Sequence, residues 1–350
     1  MKNKRIRFTS IYPEKYFADK DDLVEMDTYL RSIGFLDVEE QINSVEIPGA
    51  GNMNYVLRIK TSERSFILKQ SRPWVEKYPS IAAPIDRVSL EALFFDSLQG
   101  AKELQYHTPQ LYHVDHDNYV IIMEDLGDVI DFTYLYESGA EILDEDILSL
   151  TKFLSGLHSI KTKKFPANIE MRTLNHEHIF NFPFDSNNGF DLDAIQSGLS
   201  SLRINESTDT ELVNNIKELG QSYLSLDGTA LLHGDFYPGS WMKSDKLYVL
   251  DAEFCFVGPR EFELGVFIAH MKMANQPESK IELILNEYRH SSAIDTLLVY
   301  RFAGVEILRR LLGVAQLPLT LLLDEKARLV DQAKEWVNKE IKVSSSINLI

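Results

Sequence analysis

Residues 231–265, LLHGDFYPGSWMKSDKLYVLDAEFCFVGPREFELG, hold two acidic clusters whose order and spacing decide the reading of the whole chain. The first is His233-Gly234-Asp235, after the apolar pair Leu231-Leu232. The second is Asp251-Ala252-Glu253, at the end of the apolar run Leu247-Tyr248-Val249-Leu250. Either cluster alone is weak: HGD is commonly a plain turn, and D-x-E is commonly a solvated strand end. In this order, each behind an apolar run, they are much more specific. A strand places residues i and i+2 on one face, so a strand ending at 251–253 would aim both carboxylates into one site. Two converging carboxylates repel unless a cation sits between them, and hard oxygen ligands suit Mg²⁺. Asp235, on a loop just upstream, is then placed to take a proton from a hydroxyl. Metal-holding acids plus one free acid as base are the parts of ATP-dependent phosphoryl transfer.

These residues resemble the catalytic core of the aminoglycoside phosphotransferase and choline kinase superfamily, which shares the protein-kinase fold. Within it, HGDFYPGS followed by DAEFCFVGP is most similar to the methylthioribose kinases. Most of the superfamily carries Asn five residues after the catalytic Asp, as a metal ligand; this chain has Ser240. Methylthioribose kinases also carry Ser there, with a D-x-E metal motif matched by Asp251 and Glu253. The resemblance implies an α+β, protein-kinase-like two-lobed fold, with a small antiparallel sheet lobe over 1–125 and a larger, mainly helical lobe over 126–350. ATP would sit in the cleft with Mg²⁺ on Asp251 and Glu253, and Asp235 would be the catalytic base. The implied acceptor is 5-methylthioribose, phosphorylated at its anomeric hydroxyl in methionine salvage. A homodimer is implied by the resemblance only.

Working upstream, VEIPGAGNMNYVLRI (45–59) reads as two strands joined by a Gly turn. Gly49 and Gly51 would let backbone approach a ligand, and exposed N–H groups there can cradle phosphate. Methylthioribose kinases have a similar G-N-x-N-Y-V stretch over ATP, matched by Gly51, Asn52, Asn54, Tyr55 and Val56. SFILKQ (65–70) reads as a strand ending near Lys69, which could pair with ATP phosphates. A helix over Pro84–Leu98 carries Glu91 among Leu90, Leu93, Phe94 and Leu98. Glu91 could hold Lys69; Arg87, one turn earlier, offers a local i,i+4 pair instead. Between them, 69–86 reads as a long loop, comparable to the K-Q-x-x-P-x-V run of methylthioribose kinases. YVIIMEDL (119–126) reads as a buried strand; in the kinase fold it links the lobes, and its backbone near Glu124 and Leu126 would bind the adenine edge. A helix over 19–33, capped by Asp19 or Asp21, precedes all of these and stops at Gly34.

Downstream, 144–160 is a helix with Leu150, Phe153, Leu154 and Leu157 on one stripe. His158 follows and reads as structural. MRTLNHEHIFNFPFDSNNGFDLD (171–193) is unlike the methylthioribose kinases, which carry a motif centred on D-P-Y here. His176 and His178 flank Glu177, but no further Cys or His is spaced to complete a zinc site. Helices are expected over 208–226, 265–274, 301–318 and 324–342, with SSSINLI frayed at the end. In the third, Arg309-Arg310 lies inside an apolar helix, where unpartnered charge would be costly. Arg310 could snorkel and Arg309 pair with a surface acid such as Glu306. The R-R-x-x-G-x-A run is similar to a twin-arginine motif of methylthioribose kinases, which implies that Arg309 and Arg310 contact the substrate.

Composition sets outer bounds. The chain has 350 residues, 44% hydrophobic and 25% charged, enough for one large domain or two lobes. Its net charge of −17 argues against nucleic acid and against an anionic membrane surface. No stretch reaches the roughly 18 apolar residues of a membrane span. The basic N-terminus has no apolar core like that of a signal peptide. Cys255 is the only cysteine, so no internal disulfide can form, and a reducing cytoplasm is expected. Two rivals stand beside the leading reading. One is a related kinase acting on an amino alcohol, homoserine or an antibiotic, which an acidic substrate pocket with both arginines turned away would favour. The other is a nucleotide-binding protein without catalysis.

Overall fold

The computed structural model describes residues 2–49, 51–161 and 165–338. They form two compact units, one of residues up to Val129 plus Tyr248–Glu253, the other from Ile130 to Leu247 and from Phe254 onward.

The first unit begins with helix α1 (Lys2–Ile11), which the sequence reading did not anticipate, and α2 (Leu23–Ser32). Phe8 of α1 is buried against Phe17 and Trp74. The cap of α2 is Asp22, which accepts from the Glu25 amide, and not Asp19 or Asp21. A turn in which the Asp22 amide reaches the Asp19 carbonyl delays the helix start. Strands β1 (Ile42–Glu46), β2 (Tyr55–Thr61) and β3 (Ser65–Gln70) follow, then α3 (Arg87–Ser97), α4 (Lys102–Tyr106), β4 (Leu111–Asp115) and β5 (Val120–Glu124). The sheet runs β1-β2-β3-β5-β4, antiparallel throughout. Alternate residues Leu57 and Ile59 of β2 and Phe66 and Leu68 of β3 are buried with Met26 and Leu30 of α2. Val120 and Ile122 of β5 join them, and α3 also packs on β5, so this central strand is buried along most of its length. Leu93, expected in the apolar set of α3, points outward instead.

The second unit comprises β6 (Ile130–Asp131), α5 (Asp144–Leu157), α6 (Ile169–His176), α7 (Leu199–Thr208), α8 (Thr210–Leu224), β7 (Ala230–Leu232), β8 (Trp241–Lys243), β9 (Leu247–Val249, whose last residues belong to the first unit), β10 (Phe256–Gly258), α9 (Arg260–Met273), α10 (Glu278–Arg289), α11 (Thr296–Leu312) and α12 (Leu323–Val337). Helix α11 packs between α9 and α12, and its residues from Arg301 to Leu312 are all buried. The α5 stripe is buried as expected. The helix expected over 208–226 is α8, capped by Asp209 through the Leu212 amide; α7, which ends at Thr208, was not expected. Helix α9 starts five residues earlier than expected, and α11 ends at Leu312 rather than at Pro318. The SSSINLI tail lies outside the described residues. Among those described, no helix is long and apolar enough to cross a membrane.

Candidate active site

In the first unit, cation and anions gather around one lysine. Lys69 pairs with Val56 on one side and Ile121 on the other, so its backbone is fixed in the middle of the sheet. Its Nζ lies 2.9 Å from Glu91 Oε1 and 2.8 Å from Asp251 Oδ1, and its side chain is 4% exposed. Burial opposes its charge, but Asp251, Glu91 and Glu253 outweigh that and hold its pKa above the ordinary lysine value. Arg87 takes neither role in an i,i+4 pair with Glu91. Its guanidinium donates to the carbonyls of Arg72 (2.8 Å), Pro84 (2.6 Å) and Met53 (2.7 Å), and its Nε lies 3.5 Å from Glu253.

The acids of D-x-E do not share a strand face. Strand β9 ends at Val249; Asp251 follows in left-handed backbone (φ 64°), and Glu253 lies in a 3₁₀ turn over Ala252–Phe254. The Asp251 side chain is 55% exposed, whereas Glu253 is buried. Glu253 accepts from Asn54 Nδ2 at 2.6 Å, so the amide nitrogen expected over the nucleotide is turned to this acid. Burial first, then the charges of Glu91 and Asp251, push Glu253 up to about 7, against the opposite pull of Lys69 and Arg87. A carboxylate raised mainly by burial, with neighbouring anions adding to it, is one that a divalent cation would return to its charged form. With hard oxygens on both acids, the residues fit Mg²⁺.

The loop between β1 and β2 is clipped down. The Gly51 amide reaches the Gly49 carbonyl (2.9 Å), and the carbonyls of Asn52 and Met53 accept from the amides of Lys77 and Glu76. Gly49, Gly51 and Asn52 are exposed at its tip. At the end of β5, the Glu124 amide donates to Gln110 and its carboxylate accepts from the Gln110 amide. Arg58 reaches across from β2 to Asp125 (2.9 Å) and the Gly127 carbonyl (2.7 Å), bracing the segment that holds the half-buried Leu126.

In the second unit, the HGD loop leaves β7 through Gly234 at φ 90°, where any Cβ would strike the Phe254 carbonyl. Glu263 of α9, fully buried, accepts from the amides of His233 (3.1 Å) and Gly234 (2.7 Å). His158 holds Glu263 through Nε2 (2.9 Å) and meets the Tyr288 hydroxyl through Nδ1 (2.7 Å). Ser240 Oγ donates to the Asp235 carbonyl at 2.9 Å, closing the loop on itself.

The Asp235 carboxylate is met by α11. Arg310 Nη2 lies 3.2 Å from its Oδ1, and Arg309 Nη1 4.0 Å. Both arginines are buried and share Glu306: Arg310 Nε at 2.6 Å from Oε1 and Arg309 Nη1 at 2.9 Å from Oε2. Glu306, expected at the surface, is 1% exposed, and Arg310 does not snorkel; its guanidinium lies 4.6 Å from the Tyr237 ring centre. His270 Nε2 meets Glu306 at 3.2 Å, and Tyr136 meets His270 Nδ1 at 2.6 Å. Burial, which opposes ionisation, is outweighed by Arg309, Arg310 and His270, so Glu306 stays well below the usual carboxylate range. Burial drops His270 to about 4, with the arginine charge adding to it, so the ring is neutral. Nε2–H then donates to Glu306, and Nδ1 accepts from Tyr136.

Glu263, His270, Tyr136 and the buried state of Glu306 were missed. Glu306 could have been suspected, since it lies one turn before two arginines in an apolar helix; Tyr136 carries no such signal. His176 and His178 part company. His176 packs on Tyr223 and Phe180, and its Nε2 occupies the space a Cβ at Gly220 would need. His178 lies within the field of Arg309.

A profile described as "Phosphotransferase enzyme family" matches residues 44–293. The chain is 28% identical over 266 residues to a methylthioribose kinase of Exiguobacterium sibiricum, covering 71% of this chain and 65% of that protein. It thus spans somewhat under two thirds of that relative. A methylthioribose kinase of Geobacillus sp. is 25% identical over 344 residues, 82% of each chain. The crystal structure of the choline kinase LicA from Streptococcus pneumoniae superposes with a TM-score of 0.53 at 14% identity, covering 90% of this chain and 98% of that one. That likeness shows the fold, protein-kinase-like and α+β as expected. Matched over well more than half its length, the chain belongs to the phosphotransferase enzyme family.

Proposed function

We propose that the protein is a small-molecule kinase that transfers the γ-phosphate of ATP to a hydroxyl of a neutral, hydroxylated acceptor, with 5-methylthioribose the leading candidate. The observation that carries the choice of acceptor is the pair of buried arginines at Asp235. Two guanidiniums take up the charge of the Asp235 carboxylate, which leaves it a poor partner for an ammonium group, and their N–H groups can donate to hydroxyl oxygens. The names of the relatives point the same way.

In this reading Lys69, held by Glu91, binds the ATP phosphates, with the Gly49–Asn54 loop beside them and the backbone near Glu124 and Leu126 at the adenine. Asp251 and Glu253 hold Mg²⁺, which supplies charge neutralisation on the phosphates. Arg310 anchors Asp235 Oδ1, which leaves Oδ2 to orient the acceptor hydroxyl. As the hydroxyl oxygen bonds to the γ-phosphorus and ADP departs, its proton passes to Oδ2. Ser240 is spent on the loop backbone, so it is no ligand in this scheme. A cytoplasmic location fits the single, buried cysteine.

The test is Asp235→Ala. General-base help is worth about 10²–10⁴-fold, so kcat should fall by that order while ATP affinity, read by calorimetry, stays near wild type. Near-wild-type turnover would remove Asp235 from the chemistry.

A further inference from the structure

Helix α6 does not end at His176. It widens into a π turn over Glu177–Asn181 and then tightens into a 3₁₀ turn over Phe182–Phe184. A π turn inserts a residue into the helical register and re-aims the side chains that follow. This one packs against α11, the helix of the twin arginines, and Pro183 abuts Gly313 at the end of that helix. His176, just before the turn, packs on Tyr223 and Phe180 beside α8, and His178, within it, lies in the field of Arg309.

Two side chains in this region each carry a buried polar atom without a partner among the described residues. Arg309 uses Nη1 on Glu306, with Asp235 at 4.0 Å, but its Nε is buried and has no hydrogen-bond partner among the described residues. The same holds for Nδ1 of His178. Buried polar atoms are rarely left so unless something else completes them. The two are complementary. Arg309 Nε–H can only donate, while burial and the Arg309 charge lower the His178 pKa, and Nδ1 of a neutral imidazole can accept.

We infer that His178 and Arg309 together read one hydroxyl of the acceptor: the substrate oxygen accepts from Arg309 Nε–H, and its proton is donated to His178 Nδ1. This rests on the reading of the site as one for a neutral hydroxylated acceptor. It assigns the LNHEHIF segment to substrate recognition and separates the arginines: Arg310 positions Asp235, and Arg309 faces the ligand.

The experiment is steady-state kinetics with Mg-ATP and methylthioribose, ribose and the deoxyriboses on wild type and His178→Phe, His178→Gln and His178→Asn. The Asn amide can replace Nδ1, the Gln amide reaches only the Nε2 position, and Phe keeps the ring without either nitrogen. Phe and Gln should raise the acceptor KM about tenfold or more, leaving the ATP KM unchanged, while Asn stays close to wild type. One deoxyribose should show the same loss on wild type and no further loss on the Phe variant. If Phe does not fold, the contrast of Gln with Asn decides. Wild-type turnover of a sugar with the acceptor KM unmoved in Phe or Gln overturns this inference alone. Turnover confined to choline or another ammonium acceptor, or none on any acceptor, overturns the neutral-acceptor reading and this inference with it.

Discussion

Glu306 is the residue on which the buried charge cluster of the second unit turns. A glutamate 1% exposed inside an apolar helix would be untenable alone, and so would the two arginines that follow it. Together with Asp235 they make two positive and two negative charges, each with a hydrogen-bonded or close ionic partner. Glu306→Gln removes one counter-charge and leaves two buried guanidiniums facing Asp235 alone. Breaking a buried pair costs about 3–5 kcal/mol, and urea unfolding should show a loss of that order; a loss below about 1 kcal/mol would mean that Glu306 is not needed to hold the pair.

His270 adds a pH dependence at the same scale. Its folded pKa of about 4 lies below the ordinary 6.5, so the unfolded chain binds its proton first. The associated stability is present above pH 6.5 and is lost progressively as the pH falls toward 4. The full difference is worth about 3 kcal/mol. His270→Gln should flatten the fall of melting temperature between pH 6.5 and 4 relative to wild type. Parallel curves for the two proteins would contradict the buried, neutral ring.

At the scale of elements, the HGD loop depends on close backbone approach. Gly234→Ala puts a methyl group against the Phe254 carbonyl and strains a positive φ. The loss should be about 1–3 kcal/mol of stability, together with a fall in kcat because the neighbouring Asp235 moves. A fully active, fully stable variant would show that the loop tolerates another path. The same elements show what a sequence can disclose. Strands β2 and β3 are legible from their apolar runs, α5 and α11 from helical spacing, and the Lys69–Glu91 pair from a strand-end lysine followed by an acid on a helix. D-x-E was misjudged as a strand face, since nothing local announces the left-handed turn at Asp251 that ends β9 early. Nor does 3.6-residue spacing disclose the π turn that holds His178. The burial of Glu306 is decided by α9 and α12 closing over α11, contacts far apart in the chain.

At the scale of the whole molecule, two groups of buried cations lie among acidic side chains. Lys69 and Arg87 lie among Glu91, Asp251 and Glu253 in the first unit, and Arg309 and Arg310 lie on Asp235 and Glu306 in the second. In the proposed function the first set takes the polyphosphate with a divalent cation and the second the hydroxylated acceptor. The measurement that tests this most directly is a coupled ADP-release assay with Mg-ATP against methylthioribose, other pentoses, choline, homoserine and aminoglycosides. The account predicts saturable turnover on methylthioribose or a related sugar, and none on choline or an aminoglycoside. Turnover on an ammonium-bearing acceptor with none on any sugar would contradict it.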